Sequence, residues 1–268
     1  MSDLRVSLVQ TDLHWEDPAA NRRDIEKCLV SLDAGETDLI VLPEMFATGF
    51  TMRPERFAES ADTSPTLDWM KAQARERRCV MTGSLAIRDG ERCVNRLYWV
   101  TPDGQVTHYD KRHLFRMGEE PLHYAAGDER KLVTLKGFRL LLSVCYDLRF
   151  PVWLRQQPSS SSAPFEYDAL LCVANWPGVR RQPWRTLLQA RAVENLSYVI
   201  GVNRVGEDGN GLSYTGDSLL VDFKGDPLVD AEAGRAFVET AVLSRTALDR
   251  FREQFPAWQD ADRFQLDE

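Results

Sequence analysis

Hydrophobic positions along the chain fall into short continuous runs, separated by longer stretches in which apolar residues recur every three or four positions. "LRVSLVQ" (Leu4–Gln10) is a run of the first kind and predicts a strand. "DPAANRRDIEKCLVSLDA" is of the second kind: Asp17 stands as an N-cap, Pro18 takes the first helical position, and Ile25, Cys28, Leu29 and Leu32 recur at helical spacing. "DLIVLPE" predicts a short buried strand ending at Pro43–Glu44, and "SPTLDWMKAQARER" repeats the cap-then-proline signal at Ser64–Pro65. A β-rich middle follows ("CVMTGSLAIR", "RCVNRLYWVT", "QVTHYDK"), punctuated by the turn signals "RDGE" and "PDGQ". "RLLLSVC", "YDALLCVAN", "SYVIGVNRV" and "LSYTGDSLLVD" predict further strands, "QPWRTLLQARAVEN" and "TALDRFREQF" further helices, and the tail after Phe255 an irregular segment. The serine-rich stretch from Pro158 to Phe165 reads as a surface loop. Helices alternating with many strands predict a layered α/β fold, helices outside sheets. No repeat or composition shift divides the chain. The expectation is one domain over residues 1–268, with a core of about 4–243 and a C-terminal helix and tail over 244–268.

Composition changes this picture mainly by exclusion. With 268 residues, 43% of them hydrophobic, the chain can bury one sizeable core. A net charge of -8 argues against a nucleic-acid or anionic-membrane partner. Five cysteines without a Cys-x-x-Cys pair give neither a disulfide framework nor a zinc signature. No apolar run approaches a membrane span, and the N-terminus has no basic-then-apolar signal. The expectation is a soluble, cytoplasmic protein.

The chemistry concentrates where apolar strands end. "RLLLSVCYDLRFPVW" finishes its apolar run on Cys145 and turns at once into polar residues. Glu44 follows "LIVLP", Lys111 follows "QVTHYD", and Asn175 follows "ALLCVA". In α/β sheets such strand ends collect at one edge, where sites form. Each residue alone is unremarkable as a packed thiol or a solvated charge. Together they supply a nucleophile, a base to take its proton, and a cation for an oxyanion. The chain has four histidines, and His113 or His123 could serve a Cys-His pair, but neither ends an apolar strand; His113 is expected to orient its loop.

Taken in order, "LIVLPEMFATGF", "YDKRHLF", "VCYDLRFPVW" and "VANWP" resemble the carbon-nitrogen hydrolase (nitrilase) superfamily, over nearly the whole stretch from Leu4 to about Asp226. "EMFATGF", "DKRHLFRM" and "LLQARAVENLSYVIGVNRVG" look most like its omega-amidase branch, which hydrolyses the terminal amide of 2-oxo acids such as 2-oxoglutaramate. The resemblance implies Glu44 as general base, Lys111 as the cation that steadies the tetrahedral intermediate, and Cys145 as nucleophile. It implies a second glutamate, Glu119 or Glu120, with the distance back from Gly127 favouring Glu120. It also implies an α-β-β-α sandwich, pairing into a four-layered homodimer, and a reaction that needs no metal or organic cofactor.

Around this centre the Tyr146 N–H is the expected oxyanion donor. Phe46 and its neighbours suit a short acyl chain. Asn175 and Trp176 stand where substrate would lie, and Arg180 or Arg181 could read a substrate carboxylate near a helix start at Pro183. Asp147 and Arg149 are expected to hold the turn, as an ion pair, with Arg149 as the other candidate for the carboxylate. Three alternatives stand beside this reading: an amidase for deaminated glutathione, a carbamoyl-amine hydrolase, and a non-catalytic or redox-sensing protein using Cys145 and Cys172.

Overall fold

The computed structural model describes residues 3–157, 165–262 and 264. Apart from Phe165, the serine-rich stretch therefore lies outside the described residues. In chain order the elements are β1 (Leu4–Gln10), α1 (Pro18–Leu29), β2 (Leu39–Val41), α2 (Pro54–Phe57), β3 (Glu59–Ser60), α3 (Pro65–Arg77), β4 (Val80–Asp89), β5 (Arg92–Val100), β6 (Val106–Asp110), β7 (Leu132–Leu135), β8 (Phe138–Val144), α4 (Pro151–Leu154), β9 (Ala169–Ala174), α5 (Arg181–Asn195), β10 (Tyr198–Asn203), β11 (Val205–Glu207), β12 (Ser213–Thr215), β13 (Leu219–Val221), β14 (Pro227–Asp230), β15 (Phe237–Leu243) and α6 (Arg245–Gln254). One sheet runs β15-β1-β2-β4-β5-β6, with β3 on β4; the other runs β14-β13-β10-β9-β8-β7; β11 and β12 pair as a separate hairpin.

The capping signals act as expected. Asp17 accepts from the Ala20 N–H and Ser64 from the Leu67 N–H, each just ahead of a proline that opens its helix. The two sheets face each other: Leu4, Val6 and Leu8 of β1 and Leu97 and Trp99 of β5 share one buried cluster with Leu140, Leu142 and Val144 of β8. On the outer side of the first sheet, Ile40, Met81 and Val100 pack with Ile25 and Leu29 of α1 and with Met70 and Ala74 of α3. Helix α5 covers the second sheet so closely that a Cβ on Gly201 would meet Leu188 Cδ1 at 2.5 Å. The result is an α-β-β-α sandwich. Helix α6 is fastened by charge, with Arg252 and Arg245 both reaching the buried Asp168 carboxylate, at 2.7 and 2.9 Å.

The chain departs from the sequence reading in its late strands. "LSYTGDSLLVD" is two strands, β12 and β13, because Gly216 and Asp217 both take positive φ (73° and 56°) and turn the chain between them. β7, β14 and β15 were not foreseen. All three are edge strands with exposed alternate positions, a weaker pattern than a continuous apolar run.

The strand directions place the site. β1, β2 and β4 are parallel, as are β8, β9 and β10. Two antiparallel steps, β4 to β5 and β5 to β6, return β6 to the direction of β4. The residues after β2, β6, β8 and β9 therefore emerge together.

Candidate active site

Those residues are Glu44, Lys111, Cys145 and Asn175. Glu44, Lys111 and Glu120 are wholly removed from solvent, and Cys145 is only 8% exposed. The Lys111 ammonium donates to Glu44 Oε1 at 2.9 Å and to both Glu120 oxygens at 3.0 and 2.9 Å. Its backbone is pinned from two sides: the Lys111 N–H donates to Asn95 O at 3.0 Å, and the Gly127 N–H to Lys111 O at 2.9 Å. No side chain could replace that glycine, since a Cβ there would stand 2.3 Å from Asp110 O.

The two candidate glutamates are placed differently. Glu119 is exposed with φ 59°, whereas Glu120 opens the next short turn, points inward and accepts from the Phe115 N–H at 2.6 Å as well as from Lys111. Asn175 fastens Glu44 from the other sheet: its backbone N–H donates to Glu44 Oε2 at 2.7 Å, and its side-chain amide donates to the Glu44 carbonyl. The hydrogen bonds it donates in the structure go to Glu44.

Cys145 is the first residue of a tight turn, Cys145–Arg149, and takes φ 49°, a left-handed conformation uncommon outside glycine. Asp147 holds this turn, though not through Arg149. Its carboxylate accepts from the Tyr109 hydroxyl at 2.8 Å, from the Val144 N–H at 2.9 Å and from the His113 N–H at 2.9 Å, and it meets the His113 ring nitrogen at 2.8 Å. The expected Asp147–Arg149 ion pair is thus replaced by a pairing across the sandwich, and His113 does orient its loop. Arg149 lies over the Trp176 ring at 4.9 Å.

Burial governs the electrostatics. It pushes the Cys145 thiol well above the ordinary thiol range, and the nearby Glu44 charge adds to this while Lys111 opposes it. Burial likewise raises Glu120 against the pull of Lys111. For Lys111 burial works the other way, favouring the neutral amine, but Glu120 and Glu44 outweigh it and the ammonium is held protonated. The resting site therefore pairs a neutral thiol with a fixed cation.

Several expected positions fall elsewhere. Phe46 packs into the outer core against Trp69, at 5.9 Å between ring centroids, and against Gly83; Phe50 is the aromatic that faces Lys111, at 5.1 Å. The reversal follows from Met45, whose φ of 41° turns the chain so that Phe46 points to the helix side. Arg181 is half exposed and already paired with Asp217 at 2.6 Å. Arg180 lies over Phe115 at 5.3 Å, and Trp176 is buried against Trp184. Tyr146 is half-buried, its ring between Phe115 and Phe150, and it lines a cavity of about 760 Å³ with Arg112, Leu114, Met117 and Pro121. Asn95 was missed altogether: its Nδ2 donates to Glu44 Oε1 at 2.7 Å and to Glu120 Oε1 at 3.3 Å. Among the described residues no group of three or more His, Cys, Asp or Glu is placed to hold a metal ion.

A glutamate, a lysine and a cysteine converging at the strand ends of an α-β-β-α sandwich define a thiol hydrolase of the nitrilase type. The family model for carbon-nitrogen hydrolases matches residues 5–252, and the chain belongs to that family. It is 46% identical over 266 residues to the omega-amidase YafV of Escherichia coli, covering 99% of this chain and all of that one. It is 33% identical to a 2-oxoglutaramate amidase of Paenarthrobacter nicotinovorans, over 96% of this chain and 89% of that one. The crystal structure of a CN-hydrolase superfamily protein from Xanthomonas campestris, which carries an arsenic adduct in its active site, superposes with a TM-score of 0.96 at 47% identity, each chain covered completely.

Proposed function

We propose that the chain is an omega-amidase: it hydrolyses the terminal amide of a short 2-oxo acid amide, 2-oxoglutaramate or a close analogue, to the acid and ammonia. The observation that carries this reading is the buried Lys111 ammonium held within 3.0 Å of both Glu44 and Glu120, beside Cys145.

The geometry supports the following mechanism. Because the thiol is neutral at rest, Glu44 removes its proton as the sulfur attacks the amide carbon. The carbonyl oxygen becomes an oxyanion facing the Lys111 ammonium and the Tyr146 N–H. Collapse breaks the carbon–nitrogen bond, and Glu44 returns its proton to the departing ammonia. A thioester remains on Cys145. Glu44 then takes a proton from water, whose hydroxide attacks the thioester; collapse breaks the carbon–sulfur bond and releases the acid, and Glu44 returns its proton to the leaving sulfur, which restores the thiol and the carboxylate. Glu120 holds the ammonium in place throughout.

Arg149 is the reader of the substrate carboxylate in this scheme. It stands four positions after Cys145 with its guanidinium stacked on Trp176, whereas Arg181 is engaged by Asp217. The redox-sensing alternative is weakened by Cys172, the nearest candidate resolving thiol. Burial pushes it up to about 12, so it is a poor thiolate donor at neutral pH. We take the active form to be a homodimer in the cytoplasm; the exposed Val152, Val179 and Val193 would be partly covered by pairing, and sedimentation velocity tests it. Among the described residues no helix is long and apolar enough to cross a membrane.

The deciding experiment is ammonia release from 2-oxoglutaramate, uncharged short amides and a nitrile, with Cys145→Ala as control. The reading expects turnover of the oxo-acid amide and none by the variant. Activity in a folded Cys145→Ala protein would remove the mechanism; preference for the uncharged amides would remove the substrate.

A further inference from the structure

Asn95 lies in the middle of β5. Pairing of Arg96 with Asp110 across β5 and β6 sets it beside Lys111, and its side chain points into the site. Its amide nitrogen bridges the two carboxylates that also share the Lys111 ammonium. Four groups thus form a closed ring: Glu44, Asn95, Glu120 and Lys111. The carbonyl end, Asn95 Oδ1, is buried without a partner among the described residues, so the amide acts here through its nitrogen. Turned over, it would set its oxygen against two carboxylates, which fixes the orientation electrostatically.

Lone-pair accounting for Glu44 shows the consequence. Each carboxylate oxygen accepts about two hydrogen bonds. Oε1 takes Lys111 at 2.9 Å and Asn95 at 2.7 Å, and is full. Oε2 takes the Asn175 N–H at 2.7 Å and has one position left. We propose that Asn95 is a positioning residue of the reaction: it occupies Glu44 Oε1 and ties Glu44 to Glu120, so that the only place left for the Cys145 proton is on Glu44 Oε2. The inference rests on the reading of Glu44 as base and Cys145 as nucleophile. It adds that the direction of proton transfer depends on a neutral donor shared between two carboxylates.

The charged and titratable groups around Glu44 are Lys111 after β6, Glu120 in the loop beyond it and Cys145 after β8. Tyr124 stands near Glu120, and Cys172 and Tyr214 near Cys145. Without the shared donor, the two carboxylates repel each other with only Lys111 between them. Glu120, which burial already raises, then takes up its proton at a higher pH.

The test combines steady-state kinetics with site-resolved alkylation of Cys145 by iodoacetamide, followed across pH by mass spectrometry. In Asn95→Leu, which keeps the size and removes the donor, kcat should fall about ten- to a hundredfold, the range expected for a lost hydrogen bond to a charged group, while KM changes little. The acid limb of both the kcat/KM profile and the alkylation profile should move to higher pH. Asn95→Asp can donate only while protonated, so its activity should fall as pH rises; this variant serves as well if Asn95→Leu does not fold. A folded Asn95→Leu with wild-type kcat and an unmoved acid limb, or an Asn95→Asp profile parallel to wild type, overturns the proposal. If a folded Cys145→Ala or Glu44→Gln protein keeps wild-type ammonia release, the reading of the site itself fails instead.

Discussion

Replacing Glu120 by glutamine removes one charge from the buried cluster and keeps its shape, so the consequences can be worked from the contacts. Oε2 accepts from the Phe115 N–H at 2.6 Å and from Lys111 at 2.9 Å; Oε1 accepts from Lys111 at 3.0 Å and from Asn95 at 3.3 Å. Every neighbour is a donor. A glutamine oxygen can serve one side only, and its NH2 must then face a donor on the other. Two charge-assisted contacts are lost, at about 1.5–3 kcal/mol each. Relief of the repulsion between Glu44 and Glu120 offsets part of this, so a net destabilisation of about 2–4 kcal/mol is expected. Lys111 then leans on Glu44 alone, which draws the ammonium away from the oxyanion. Loss of one such contact in the transition state corresponds to a fall in kcat of about 10- to 100-fold, with KM changed less than about threefold. Urea unfolding supplies the first quantity, and ammonia release at saturating and limiting substrate the second. A folded Glu120→Gln with kcat within about threefold of wild type would refute the role given to Glu120 and the chain of contacts behind it.

Other consequences are simpler to read. Arg149→Gln should raise KM for 2-oxoglutaramate about tenfold or more and leave that for an uncharged short amide nearly unchanged, while Arg181→Gln should alter neither; parallel kinetics on the two substrates check this. Asp168→Asn strands the buried Arg252, so about 3 kcal/mol of stability and about 6–12 °C in Tm should be lost, with early hydrogen exchange in α6. The Asp168 carboxyl is buried, which alone would raise it, but the Arg139 N–H and the Arg252 charge hold it below the ordinary carboxylate range. Its contribution is therefore fully present above the ordinary range and lost as pH falls below that range through the lowered value, and acid titration of Tm should show a smaller loss in the variant. Gly83→Ala sets a Cβ 2.8 Å from Phe46 Cδ1 and 2.9 Å from Leu42 Cβ, and should cost about 1–3 kcal/mol by thermal melt, with the site's pH profile unchanged.

The parts of the site legible in the sequence are those where hydrophobic patterning breaks abruptly. Cys145, Glu44 and Lys111 each terminate a strand signal, so periodicity alone marks them as the residues a parallel sheet would bring to one edge. Glu120 needed the family resemblance to be singled out, because its turn has no periodicity; in the structure it is the buried one of the two glutamates. Asn95 was invisible for the opposite reason. It sits in the middle of "RCVNRLYWVT", where one polar residue in a strand reads as an outward-facing position. Only the register with β6 shows that this position faces the carboxylates. Phe46 and Phe50 were exchanged because a segment that is neither helix nor strand gives no rule for which side chain points inward. The φ of Met45 decides that, and Met45 is not a residue type that advertises a left-handed turn.

The same contrast explains why the chemistry survives complete burial. An ammonium and two carboxylates carry a net charge of -1, and an isolated cluster of that kind would be expelled from a protein interior or neutralised. Here each group is held by a different element: Glu44 by the Asn175 backbone of the second sheet, Lys111 by Asn95 and Gly127, Glu120 by the Phe115 N–H, and the Cys145 turn by Asp147 with Tyr109 and His113. No single segment could fold around these charges alone. They become tolerable only once both sheets are in place, since Glu44 and Asn175 are joined across them. Assembly of the base therefore depends on the contact between the two sheets. Variants that loosen the contact between the sheets should lose activity before they lose secondary structure. Denaturant titration followed in parallel by ammonia release and far-ultraviolet circular dichroism measures that order, and coincident transitions would show that the site and the fold melt together.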